Sequence, residues 1–326
     1  MKEIYLDNSA TTKVYTEAAE AAFKVMTEIY GNPSSLHMKG VEAEKVLEEA
    51  RKEVANALGG NPDGLYFTSG GTEANNLAVI GGALAKKRRG NKVIVSAYEH
   101  DSVIKSAKQL EEMGFSVTWL APDENGIITP LSVFEAVDEK TVLVSVMLVN
   151  NEIGAINPIK EICAAAKRKN PEVVFQTDAV QGFCKVPFKA EKAGVDLVTV
   201  TAHKIGGPKG IGALWMKKGA RVIPNHFGGE QEKQLRPGTQ AMPLIAAFGK
   251  AVSIETASSS ERKEHMKALE KYLPTSKFLR VHRSFIVNTD HITGYTKGRV
   301  FLTGDDYVPI GEIYKESFSS VVEKIG

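Results

Sequence analysis

The feature that most constrains the fold of this chain is a regular alternation of short β-rich runs with helical stretches, beginning near residue 60. The run TVLVSVMLV (141–149) is continuously apolar between polar residues, as expected for a strand buried on both faces. Other strands are predicted over 92–96, 115–120, 173–177, 195–200 and 211–216, and helices over 101–113 and 158–169. This alternation predicts an α/β fold, in which a mostly parallel sheet carries helices on both faces.

The alternation stops near residue 260. A serine run is followed by a charged stretch, 261–273, with helical spacing. After it come short strands within 278–288, 299–304 and 307–310, and a final helix from Tyr314. We therefore predict two domains, 1–260 and 261–326, the second a small β-rich segment.

Composition excludes several classes of protein. The 326 residues carry a net charge of only +2, so there is no global attraction to nucleic acids or membranes. Only two cysteines occur, Cys163 and Cys184, without CxxC or Cys/His spacing, so neither a disulfide framework nor a metal site is predicted. No run approaches the roughly 18 apolar residues of a membrane span, and a cytoplasmic location is expected.

Ligands of parallel sheets bind at the carboxyl ends of the strands, so polar residues there are candidates. SGGTEANN (69–76) stands between an apolar run and a helix, where glycines and free N–H groups suit a phosphate and Thr72 adds a hydroxyl. The same residues are equally consistent with an ordinary helix cap. His100 could stack on a flat aromatic ligand or be an ordinary loop histidine, and Asn150 and Asn151 offer amide donors.

Two charged residues follow strands that should be buried. Asp178 is costly there unless a cation pairs with it, which a protonated pyridine nitrogen would do, although it could equally cap a helix. Lys204, in TAHKIGGPKG (201–210), is either a solvated loop lysine or an amine that burial keeps free to form a Schiff base. Thr201 and His203 lie beside it and could reach a phosphate.

Taken together, these residues match the needs of one cofactor. Pyridoxal 5'-phosphate requires a lysine for its aldehyde, an acid on its ring nitrogen and a cradle for its phosphate. All three occur in this chain, each at the end of a predicted strand.

With these residues in view, the chain over about residues 4–265 resembles the cysteine desulfurases, which are class V, fold type I pyridoxal-phosphate enzymes. The motifs that carry the resemblance are YLDNSATT (5–12), GNPSSLH (31–37), FTSGGTEANN (67–76), EHDSV (99–103), NNEIG (150–154), QTDAVQ (176–181), TAHKIGGPKGIGAL (201–214) and LRPGTQ (235–240). It implies a homodimer that takes an amino acid, expected to be L-cysteine, and passes its sulfur to an acceptor protein for iron–sulfur clusters or thio-cofactors.

The resemblance also assigns roles by position. It implies that Lys204 is the Schiff-base lysine and that His100 stacks on the ring, both being catalytic. The implied cofactor contacts are Asp178 on the ring nitrogen, Gln181 on the phenolic oxygen, Asn151 near the substrate carboxylate, Thr72, Thr201 and His203 on the phosphate, and Thr239 on the phosphate of the other subunit.

The family's C-terminal part, with a mobile cysteine loop and an arginine for the substrate carboxylate, is not recognised here. Cys163 lies on a predicted helix beside Ile162 and Ala164, which is typical of a core residue. Cys184 fits a strand or loop, and nothing in the family pattern makes it a nucleophile. Cofactor binding is therefore expected, whereas sulfide release from cysteine is expected to be slow or absent.

Residues 266–318 resemble instead the second half of a LytTR DNA-binding domain, above all in FLRVHRSFIVN (278–288). His282 and Arg283 stand where that module contacts DNA, but a position that is usually basic is Glu312 here. With half the module unmatched and little net charge, strong specific DNA binding is not expected.

Two alternatives to an enzyme remain open from the sequence. One is a cofactor-binding sensor joined to a partial DNA-binding module, acting as a transcriptional regulator. The other is a non-functional hybrid, in which a truncated desulfurase ends in an unrelated fragment.

Overall fold

The structure is a computed structural model that describes residues 5, 7–258, 273–274, 277–282, 285–296, 298–303, 307–311 and 314–322. Its contacts divide the chain into two compact units. The first comprises Met1–Ala121, Ile128–Asn151 and Ile156–Ala257, and the second comprises Pro122–Ile127, Glu152–Ala155 and Ser258–Gly326. Two loops of the α/β part therefore group with the C-terminal segment, which the chain order alone does not reveal.

The first unit is built on one seven-stranded sheet with the order β1-β7-β6-β5-β4-β2-β3. Its strands are β1 (Leu65–Thr68), β2 (Lys92–Ser96), β3 (Ser116–Leu120), β4 (Thr141–Ser145), β5 (Val174–Asp178), β6 (Leu197–Thr201) and β7 (Gly212–Met216). The β3–β2–β4–β5–β6 pairs are parallel, while β7 runs antiparallel to both β6 and β1. The expected α/β fold with a mostly parallel sheet is confirmed.

Helices cover both faces of this sheet, as the apolar strands require. They are α1 (Thr16–Thr27), α2 (Met38–Leu58), α3 (Gly71–Asn76), α4 (Gly82–Ala85), α5 (Asp101–Glu112), α6 (Pro130–Ala136), α7 (Ile159–Lys169), α8 (Ala190–Ala193) and α9 (Met242–Ala257). A π-helical turn, Leu77–Gly81, joins α3 to α4. The larger hydrophobic cluster includes Phe175, Trp215 and Phe248, each at most 1% exposed, and a second cluster includes Leu77, Val95 and Leu197.

The second unit has its own small core. Within its described residues, β8 (Phe278–His282) pairs antiparallel with β9 (Phe285–Asn288), and β10 (Ile292–Thr296), β11 (Arg299–Leu302) and β12 (Tyr307–Pro309) form an antiparallel sheet. Helix α10 (Lys315–Val322) contributes Phe318, which packs in a cluster with Val281 and Val300. The predicted β-rich character of this segment is confirmed. A helix is predicted at 261–273, and all but the last of these residues lie outside the described part of the chain. Arg283 and Glu312 also lie outside it.

Several strands differ at their ends from the prediction. The apolar run 141–149 is a strand only to Ser145, although residues 146–148 stay buried and the Val146 N–H still donates to the Gln176 carbonyl of β5 at 3.3 Å. Asp178 is the last residue of β5 and does not follow the strand. Its backbone oxygen accepts a hydrogen bond from the Leu148 N–H at 2.8 Å, which fixes it within the sheet.

Candidate active site

The polar residues singled out by the sequence lie at one edge of the sheet. The parallel strands β2, β4, β5 and β6 present their carboxyl ends there, and so does β1, because the antiparallel β7 stands between β1 and β6. Gly212 at the start of β7 pairs with both Thr68 and Thr201. A Cβ on Gly212 would lie 2.7 Å from the Gly70 carbonyl carbon, so only glycine lets the β1–α3 turn approach β7 this closely.

Asp178 is the most constrained carboxylate at this edge. It is 4% exposed, and no cation forms a salt bridge with it in the described part of the chain. Its Oδ2 accepts a hydrogen bond from the buried Asn75 amide at 2.6 Å, and its Oδ1 accepts one from the Val180 N–H at 2.9 Å. Burial raises the pKa of Asp178, and the bond from Asn75 is the largest influence opposing that rise. The carboxylate is thus held in place for a cationic partner.

Lys204 follows β6 in a short 3₁₀ turn, Ala202–Lys204, and reaches across to the N-terminal segment. Its amine donates to the backbone carbonyls of Ser9 and Ala10, the second at 2.7 Å. The Gln181 side-chain amide donates to the same Ser9 carbonyl at 2.9 Å, so two predicted site residues meet at one atom. Burial lowers the pKa of the Lys204 amine, against the raising effect of Asp7 and Asp178.

His203 lies within this turn, and Thr201 directly precedes it. Burial, reinforced by Lys204 and two further lysines, lowers the pKa of His203 to about 4, so its ring is neutral near pH 7. The His203 Nδ1 lies 3.3 Å from the Thr11 hydroxyl, and its backbone carbonyl accepts from the Thr12 N–H at 2.8 Å. The buried Thr201 hydroxyl donates to the Ile211 carbonyl at 3.1 Å. These contacts fasten the N-terminal TT pair to the lysine turn.

His100 caps the start of α5. Its Nδ1 accepts a hydrogen bond from the Ser102 N–H at 3.1 Å and lies 2.8 Å from the Ser102 hydroxyl. That hydroxyl also accepts from the Asn75 amide at 2.9 Å, so His100 and Asp178 contact the same asparagine network.

Glu99, next to His100, is a second buried carboxyl, 5% exposed. Its Oε1 accepts from the Met147 N–H at 2.6 Å and from the Ser96 hydroxyl, while its Oε2 has no hydrogen-bond partner in the described structure. Burial raises the pKa of Glu99 to about 8, and Asp178 adds to that rise. At neutral pH the two carboxyls therefore favour one negative charge between them.

The loop that carries Thr239 is anchored by a buried ion pair. Glu232 receives two bonds from the Arg51 guanidinium, each of 2.9 Å, and one from the Phe67 N–H at 2.9 Å. Glu232, Lys233 and Gln234 have φ values of 47°, 55° and 65°, a left-handed turn that costs non-glycine residues energy. The anchored carboxylate offsets that cost and fixes the loop against the β1 strand.

The structure brings only part of the predicted set into mutual contact. Thr72 and Thr239 are exposed, and no hydrogen bond links either side chain to the other site residues in the described part of the chain. Asn151 is half-buried in the turn after Asn150, whose amide donates to the Tyr98 carbonyl at 2.7 Å and joins the two loops. Arg236 of the LRPGTQ motif pairs with Glu73 at 2.9 Å, placing that motif against the start of α3.

The two cysteines lie in different surroundings. Cys163 is 1% exposed in the main core, and burial raises the pKa of its thiol to about 11. Cys184 is half-buried in the turn after β5, with a φ of 58°.

Sequence reasoning missed the buried carboxyl Glu99, and it missed Asn75, Ser102 and Gln176, whose hydrogen bonds orient Asp178 and His100. All four lie inside motifs of the resemblance, but no pattern along the chain distinguishes a buried polar partner from a surface residue.

The chain matches the family model described as "Aminotransferase class-V" over residues 4–284. The chain belongs to the class-V aminotransferase family. It is 43% identical over 260 residues to "Cysteine desulfurase IscS" of Methanosarcina thermophila, covering 80% of this chain but 64% of that protein. The chain thus spans about two thirds of the length of this curated relative.

Solved structures of family members superpose on this chain. A "NIFS-LIKE PROTEIN" matches with a TM-score of 0.81 at 38% identity, covering 84% of this chain and 75% of the other. A structure titled "SspA in complex with cysteine" matches with a TM-score of 0.77 at 31% identity, covering 98% and 87%.

Pyridoxal 5'-phosphate is the cofactor of this family. The residues present fit it, because Asp178 is buried without a cationic partner and Lys204 has an amine whose pKa burial lowers.

In the part of the chain that the structure describes, no helix is long and apolar enough to cross a membrane.

Proposed function

We propose that this chain is a pyridoxal-phosphate enzyme of the cysteine desulfurase type that binds L-cysteine or a similar amino acid. The observation that carries the proposal is the convergence of Lys204, Asp178 and His100 at one sheet edge, within motifs shared with the family. Cysteine as the substrate class is supported by the names of the relatives and by the SspA complex.

The residues would hold the cofactor as follows. Asp178 would pair with the ring nitrogen, Gln181 would bond the phenolic oxygen and His100 would stack on the ring. Thr72, Thr201 and the neutral His203 donate hydrogen bonds to the phosphate, joined by Thr239 from the second subunit of a homodimer, and Asn151 lies toward the substrate carboxylate. When bound, the cofactor serves as an electron sink for the substrate α-carbon.

The chain's own part is to hold and move protons. Lys204, whose amine pKa is lowered by burial, would take a proton from the substrate and return it. The Asn75 amide and the Val180 N–H donate to Asp178 and favour its charged form, which would help to keep the ring nitrogen protonated when the cofactor is bound. The segment Ser9–Thr12 is tied to the lysine turn, because its carbonyls accept from the Lys204 amine and the Thr12 hydroxyl donates to the His203 carbonyl.

Attack on the substrate sulfur is the weakest part of the proposed reaction. The buried Cys163 thiol has a raised pKa and supplies little thiolate, and the family pattern assigns no nucleophilic role to Cys184. We infer that this chain binds cofactor and amino acid readily, and that any transfer of sulfur to an acceptor protein is slow.

A spectrum of the purified protein with added pyridoxal 5'-phosphate tests the proposal. Wild type should develop a protein-bound visible band that dialysis does not remove, and Lys204→Ala should abolish it. Lys209→Ala, an exposed lysine of the same motif, is the matched control and should keep the band. A wild type that stays colourless contradicts the proposal.

A further inference from the structure

We propose that Asn75 is a positioning residue that fixes the proton arrangement of both Asp178 and His100 through one directed hydrogen-bond network. The proposal rests on the proposed function only in that these two residues serve the cofactor. Asn75 is 1% exposed and lies on α3, one helical turn after the phosphate-facing glycines.

The direction of the network follows from the donors available. The Ser145 hydroxyl donates to the Gln176 carbonyl oxygen, and the Gln176 amide donates to the Asn75 carbonyl oxygen at 3.2 Å. The two N–H bonds of Asn75 are thereby left for Asp178 at 2.6 Å and Ser102 at 2.9 Å. The reverse orientation of the Asn75 amide would set its oxygen against a carboxylate, which is repulsive.

The consequence for His100 is a defined tautomer. Because the Ser102 hydroxyl accepts from Asn75, its own proton is directed to the His100 Nδ1, 2.8 Å away. The Ser102 backbone N–H donates to the same nitrogen at 3.1 Å. With two donors aimed at Nδ1, the ring proton resides on Nε2, which faces away from the network.

The consequence for Asp178 is a hydrogen bond that favours its charged form. The charged or titratable groups that act on it are Glu99, His100 and Lys204. Burial favours its neutral form, and the Asn75 bond is the strongest single contact opposing this effect. Asn75 therefore links Asp178 to His100, favouring the charged form of the carboxyl group and an unprotonated Nδ1 on the histidine.

Nitrogen NMR of the histidine side chains in the cofactor-free protein tests the His100 branch. The chain has seven histidines, and the His100→Gln spectrum assigns the relevant signals. We expect wild type to show the Nε2–H tautomer. Asn75→Asp should move the Nδ1 resonance, because a carboxylate there draws the Ser102 proton away, and Ser102→Ala should move it too. Asn76→Asp is the matched control, since the Asn76 amide bonds the Thr72 carbonyl at 2.9 Å outside the network.

The dissociation constant of pyridoxal 5'-phosphate against pH tests the Asp178 branch. Asn75→Ala should weaken binding about ten- to hundred-fold at neutral pH, the equivalent of one hydrogen bond to a charged group. The loss should shrink as the pH is raised, because Asp178 then ionises without its donor. Ser102→Ala should leave this pH profile in place, separating the two branches, and a simple packing defect would weaken binding equally at every pH.

A dominant Nδ1–H tautomer in wild type, an Nδ1 resonance unmoved by Asn75→Asp, or a pH-independent loss in Asn75→Ala would overturn the proposal. If Asn75→Ala does not fold by circular dichroism, the wild-type tautomer and Ser102→Ala still decide the His100 branch. A wild type that binds no cofactor refutes the proposed function instead, and leaves the NMR result standing.

Discussion

The Arg51 guanidinium and the Glu232 carboxylate meet in two parallel hydrogen bonds of 2.9 Å, although 181 residues separate them in the chain. Their side chains are 11% and 2% exposed, so the pair is buried where α2 meets the loop that leads to Thr239. Removing one partner of such a pair leaves an uncompensated charge, which costs far more than the pair contributes.

We expect Glu232→Ala to lower the free energy of unfolding by about 3–5 kcal/mol, as for other broken buried pairs. Glu48→Ala removes the exposed partner of the same Arg51, 48% exposed, and should cost at most about 1 kcal/mol. Urea denaturation measures both. The double variant Arg51→Met/Glu232→Leu should be less destabilised than the sum of its single changes, and additive losses would contradict a direct coupling.

Glu99 should make the stability of the cofactor-free protein depend on pH. Its pKa is raised from 4.5 to about 8, so the folded state keeps a proton that the unfolded state releases near pH 4.5. The stabilisation is complete below pH 4.5 and is lost as the pH rises to about 8, by up to about 5 kcal/mol. Glu99→Gln should remove this pH dependence of the free energy of unfolding and leave only the part that Asp178 contributes. An unchanged slope in denaturant titrations would show that Glu99 is ionised in the folded state.

Cys163 should be chemically silent in the folded protein. Its thiol is buried and its pKa is about 11, so it presents almost no thiolate near pH 7. A thiol reagent should label Cys163 only after denaturation, with Cys184 reacting first. Cys163→Ala should leave the rate of sulfide release from L-cysteine unchanged, and a clear drop would identify it as a sulfur carrier.

Thr239 is proposed to complete the phosphate site of the partner subunit, which mixed dimers can test. Lys204→Ala and Thr239→Val should each impair cofactor binding alone. When the two variants are mixed and exchange subunits, about half of the dimers contain one subunit of each variant. If Thr239 acts across the dimer, each such dimer has one intact site, so about a quarter of all sites regain both residues. The visible band reports the recovery. No recovery in dimers shown to have exchanged would place Thr239 in its own subunit's site.

The sequence determined the α/β fold because strand burial and helix amphipathicity are written into local patterns of apolar residues. It also placed Lys204, Asp178, His100 and Thr201 at strand ends, because parallel strands bring their carboxyl ends to one edge. The segment TAHKIGGPKG alone does not distinguish a solvated Lys204 from a lysine that binds the cofactor. The polar residues at the other strand ends favour a lysine that binds the cofactor.

Only the tertiary structure decided how these residues are held. The pairing of Asn75 with Asp178, of Lys204 with the Ser9 and Ala10 carbonyls, and of Glu232 with Arg51 joins segments more than 100 residues apart. Such contacts have no period and no local spacing, so no pattern along the chain encodes them. Burial, which sets the pKa of Glu99, His203 and Lys204, likewise depends on what packs around each group rather than on its neighbours in sequence.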